Sequence, residues 1–71
     1  MDIDLEQLDW LIHGRTEKIE EAVAGSGYLP RTVIGVGTFL LDHHGDLDLL
    51  TAKQRVTFER FLKPLLEARD Y

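Results

Sequence analysis

Apolar residues recur every three or four positions along most of this sequence, a spacing that lays them along one side of an α-helix. In the first third the series is Leu5, Leu8, Ile12, Ile19, Ala22 and Val23, and in the last third it is Phe58, Phe61, Leu62, Leu65 and Leu66. Stripes of this kind must be shielded from water by other stripes. A chain of 71 residues has room for one domain and buries only about 60% of the surface that its unfolded form exposes. It contains no cysteine, so neither a disulfide nor a thiolate metal site staples the small core. Well-packed helices, or association with a second copy, must supply the stability instead.

The punctuation of the sequence divides 1–71 into a single helical domain of three helices. The first runs from about Asp2 to Ala24, with Asp2 or Asp4 as its N-cap and acidic residues in its first turn, where the helix dipole favours them. Gly25 and Gly27 stand where a left-handed C-terminal cap is needed. Gly14 allows a kink, and Thr16 is placed to cap a fresh helix, but one continuous helix is the expectation. The second helix runs from Pro30 to about His44. Pro30 suits the first helical position, His43 and His44 the last turn, and Gly45 the position just beyond. Val33, Ile34, Val36, Thr38 and Phe39 are residues that strands favour, so the alternative is an α+β fold with a strand at 32–40. Gly35 and Gly37 then mark a close approach of backbones on either reading. The third helix opens on Thr51-Ala52-Lys53-Gln54, a capping box, and Pro64 is expected to bend it near Lys63.

Charge is uneven along the chain. Residues 1–24 carry Asp2, Asp4, Glu6, Asp9, Glu17, Glu20 and Glu21 against Arg15 and Lys18, a balance of −5. Residues 51–71 carry Lys53, Arg55, Arg60, Lys63 and Arg69 against Glu59, Glu67 and Asp70, a balance of +2. The two ends attract each other, within one molecule or between two. The overall charge of −5 opposes unspecific binding to nucleic acid and to anionic membranes. The acidic N-terminus has no apolar core of a signal peptide. Val33 to Leu41 is far shorter than the roughly 20 residues that cross a bilayer, so a soluble, cytoplasmic protein without membrane contact is expected.

Residues that carry chemistry elsewhere lack the partners they need here. Asp42, Asp46 and Asp48 resemble positions one, five and seven of an EF-hand calcium loop. Leu47 stands where that loop needs glycine, and Lys53 where it needs a bidentate glutamate. Adjacent His43 and His44 on a helix point about 100° apart, which suits contact with free carbonyls better than shared metal ligation. Gly35-Val36-Gly37 lacks the third glycine and the lysine of phosphate-binding loops. Ser26, the single serine, has no nucleophile-elbow surroundings. No catalytic residue, metal or cofactor is therefore expected. Leu50 to Val56 resembles the opening of the first helix in some bacterial helix-turn-helix domains. Those need a turn and a recognition helix downstream, and none follows before Tyr71.

The expectation for function is a non-enzymatic module that associates with itself, as a helical homodimer, or with a protein partner. Trp10, Tyr28 and Tyr71 are the amphipathic aromatics of the chain, and Trp10 with Leu11 widens the apolar face of the first helix. Trp10, Leu11, Arg55 and Arg60 form the candidate interaction surface. The alternative is a small transcriptional regulator that binds DNA with the basic side of the last helix, through residues such as Arg55 and Arg60.

Overall fold

Asp4 begins the first helix because its carboxylate accepts hydrogen bonds from the backbone N–H groups of Glu6 (3.0 Å) and Gln7 (3.2 Å), two of the donors that a helix start leaves open. The computed structural model describes residues 3–68, so the alternative cap Asp2 lies outside the described residues, as does Tyr71. Helix α1 spans Leu5–Gly14. Arg15 then leaves helical geometry, with φ −137° and ψ 49°, and α2 starts afresh at Thr16–Val23. The expected single helix is therefore two. Gly14 weakens helix propensity at that point. Thr16 is the first residue of the new helix and not its cap, since the cap residue Arg15 makes no side-chain capping bond. The two stripes, Leu8, Leu11 and Ile12 on α1 and Ile19 and Val23 on α2, both reach the core across this corner.

Gly25 and Gly27 both adopt left-handed φ, 77° and 86°, and the Ser26 hydroxyl ties the loop by donating to the Val23 carbonyl (2.6 Å) and accepting from the Tyr28 N–H (3.1 Å). Helix α3, Pro30–Asp42, starts with proline in its first turn, and no strand occurs among the described residues. The α+β alternative is thereby corrected: Val33, Val36 and Leu40 fall at helical spacing and are buried together, and burial on one face outweighs their strand preference. Helix α3 ends in a Schellman motif, in which Gly45 N–H reaches back to the Leu40 carbonyl (2.7 Å) and His44 N–H to that of Leu41 (3.4 Å). The left-handed position after the cap belongs to His44 (φ 57°), one residue before the expected glycine, and Gly45 (φ 76°) follows in the same region.

A short 3-10 turn, Leu47–Leu49, is held by the Asp46 carboxylate accepting from Asp48 N–H. Helix α4, Ala52–Thr57, opens on the expected capping box, with Thr51 Oγ1 accepting from Gln54 N–H (3.2 Å) and Gln54 Oε1 from Thr51 N–H (2.9 Å). The chain passes through a π-helical turn, Phe58–Leu62, into α5, Lys63–Glu67, without leaving helical dihedrals at either junction. This is the structural answer to Pro64. Its ring has no N–H and would crowd the carbonyl of Arg60 in a regular α-helix. The wider turn, closed by Lys63 N–H on the Phe58 carbonyl, precedes it and lets the rod continue.

The described residues thus form four helical rods and not three. They share one core of Leu8, Leu11, Ile12, Ile19, Val23, Val33, Val36, Leu40, Leu50, Phe58, Phe61, Leu62 and Leu66. Helix α3 lies at the middle, packed against α1, against α2 and against the α4–α5 rod, while α1 has no comparable packing with that rod. Gly37 makes the closest of these approaches possible, since a Cβ there would overlap Ile12 of α1. The radius of gyration is 11.0 Å, the value expected of about 11 Å for a closed chain of this length. No helix among the described residues is long and apolar enough to cross a membrane.

Candidate interaction surface

Once the core closes, four large apolar side chains among the described residues remain in water: Trp10, Leu29, Leu49 and Val56, each about half exposed. Leu11 is not among them. It is 1% exposed and packs in the core, so of the four residues picked out in the sequence only Trp10, Arg55 and Arg60 lie on the outside. Neighbours on a helix point 100° apart, and with Leu8 and Ile12 facing inward, Leu11 turns in and Trp10 turns out.

Trp10 is the only tryptophan. Its ring lies near the bare backbone of Gly14, whose absent Cβ would stand 3.7 Å from the indole edge. The guanidinium carbon of Arg15 sits 5.5 Å from the ring centroid, within reach of a cation–π attraction. The break between α1 and α2 is what brings Arg15 back over α1. Around Trp10 the outer face of α1 carries Glu6, Asp9 and His13, all exposed, and the Asp9 carboxylate meets His13 Nδ1 one turn away. Arg15 also reaches the Glu17 carboxylate (3.1 Å). The Glu17 N–H at the open start of α2, followed by that guanidinium, holds the Glu17 carboxyl below its ordinary value.

Arg55 and Arg60 share the α4–α5 rod but differ in their surroundings. Arg55 lies between two carboxylates, Glu59 at 3.4 Å and Asp48 at 3.9 Å. Arg60 lies over two aromatic rings, 5.5 Å from the centroid of Tyr28 and 5.2 Å from that of Phe61. Those rings meet edge to face at 4.8 Å. Val56 stands on the same rod between Lys53 and Arg60, and sequence reasoning passed over it. The signal was its position off the Phe58–Leu62 stripe, which on a helix means outward. The Tyr28–Arg60–Phe61 stack had no comparable signal, because it joins a loop residue to a rod more than thirty positions later.

The polar loop after α3 forms a shallow, open depression of about 240 Å³ lined by Gly45, Asp46, Leu47, Asp48 and Arg55. Among the described residues no group of three or more histidine, aspartate and glutamate side chains is placed to hold a metal ion. His43 turns back on its own helix, its Nδ1 at 2.8 Å from the Phe39 carbonyl, which also accepts the His43 backbone N–H (3.1 Å), and its ring stacked on Phe39. No protein-family model matches the chain, and no curated protein or solved structure matches it.

Proposed function

We propose that this chain is a non-enzymatic interaction module whose partner is a second copy of itself. The observation that carries this reading is the half-exposed Trp10, a large amphipathic side chain left at the centre of an acidic helix face while thirteen other apolar residues close the core. Tryptophan in such a setting is a common anchor of protein–protein contacts. The basic rod of the same chain offers charge of the opposite sign. The open depression after α3, with its mostly polar lining, gives a small substrate no enclosed site.

Because Trp10 is the sole tryptophan, its fluorescence reports directly on this face. Raising the concentration from micromolar to millimolar should move the emission to shorter wavelength in step with a rise in light-scattering mass. Emission and mass that both stay constant would remove self-association. A monomer whose emission shifts only with another protein would leave an interaction module with a different partner.

The second reading, a DNA-binding regulator, has less support. Arg55 is flanked by Glu59 and Asp48, which offsets part of the positive charge the rod could present to phosphates. Salt-sensitive binding to duplex DNA, lost in the Arg55→Ala, Arg60→Ala double variant, would promote it over the first.

A further inference from the structure

We infer that copies of this chain join head to tail, the outer face of α1 on one molecule against the outer face of the α4–α5 rod on the next. The inference rests on the self-association reading above and specifies its geometry. Glu6, Asp9, Trp10 and His13 follow one another at the i, i+3, i+4, i+7 spacing of a single helix face, and all four are exposed. Their charge is negative, and the apolar centre is Trp10, 46% exposed. Lys53, Val56 and Arg60 follow at i, i+3, i+7 on the rod, again all exposed. Their charge is positive, the nearby Glu59 carboxylate being engaged by Arg55 at 3.4 Å, and the apolar centre is Val56, 55% exposed.

Each face therefore has an apolar centre, and the charges that flank the two centres are opposite in sign. Two α1 faces brought together would set carboxylates against carboxylates, and two rods would set cations against cations. Like charges across an interface repel and disfavour those pairings. The same charges cannot satisfy each other within one molecule, since α3 packs against both elements and α1 has no comparable packing with the rod. A contact between two different faces is heterologous, so it does not use itself up in a dimer. It propagates until a ring closes, or else remains open.

Complementation by mixing tests this. One variant carries Asp9→Lys and Trp10→Ala, which destroys the α1 face and keeps the rod. The other carries Lys53→Glu and Val56→Glu, which destroys the rod face and keeps α1. Each alone should sediment as a monomer, and the equimolar mixture should form a species of twice the monomer mass that grows no further, because one good face of each kind remains. Wild-type helicity and melting in each variant establish that it folds. The milder Trp10→Ala and Val56→Ser single variants repeat the test if a double variant loses helicity. A mixture that stays monomeric while the wild type associates would overturn the head-to-tail geometry and leave self-association standing through another face. A wild type that is itself monomeric would overturn both.

Discussion

Gly35 and Gly37 are two residues apart on α3, yet they face opposite demands. A Cβ at Gly37 would overlap the Ile12 side chain, whereas one at Gly35 would meet nothing within 4 Å. Gly37→Ala is expected to lose about 1–3 kcal/mol by overpacking the α1–α3 contact. Gly35→Ala should gain about 0.5–1 kcal/mol by removing glycine's conformational freedom from a helix interior. Urea unfolding of the two variants checks the pair, and equal effects would place the α1–α3 contact elsewhere. The need for small residues here was legible in the sequence, but which glycine mattered was not, since that depends on where α1 crosses. Glu17 supplies a second test. Its folded-state carboxyl titrates below the unfolded value, so the stability it adds is present above the ordinary glutamate range and is lost as pH falls through the lowered value. A carboxyl titration followed by NMR should show Glu17 low, and in Arg15→Ala it should move back up toward the usual value.

At the scale of the elements, local chemistry was read most reliably where a side chain bonds its own backbone. The capping box at Thr51 and Gln54 could be seen in four letters, and both of its bonds form. Thr51→Ala should cost about 0.5–2 kcal/mol, measured as a lower denaturation midpoint. The start of α3 at Pro30 was equally plain, because a first helical turn does not need the N–H that proline lacks. Two boundaries were harder to read. Gly14 and Thr16 marked a place where the first helix could break, but whether it breaks depends on packing α2 back over the core. Pro64 announces a disturbed helix, and the chain meets it with a π-helical turn that keeps Phe58, Phe61, Leu62 and Leu66 buried. A proline announces that a hydrogen bond is lost. It does not announce how neighbouring burial repairs the loss.

For the whole molecule, helical class could be read from apolar spacing, and the described residues are helical throughout their regular structure. The exposed residues of the candidate surface were half legible. Trp10, Arg55 and Arg60 stand outside, while Leu11 went to the core and Val56 emerged beside the cations. Which apolar residues are left over cannot be decided until the core has taken its share. If the remaining faces attract chiefly by charge, raising the salt concentration should weaken association. Sedimentation equilibrium of the unaltered chain, from micromolar to millimolar concentration at low and at high salt, is the direct measurement. The average mass should climb with concentration at low salt and fall back toward the monomer at high salt. A mass fixed at the monomer value under every condition would contradict self-association outright.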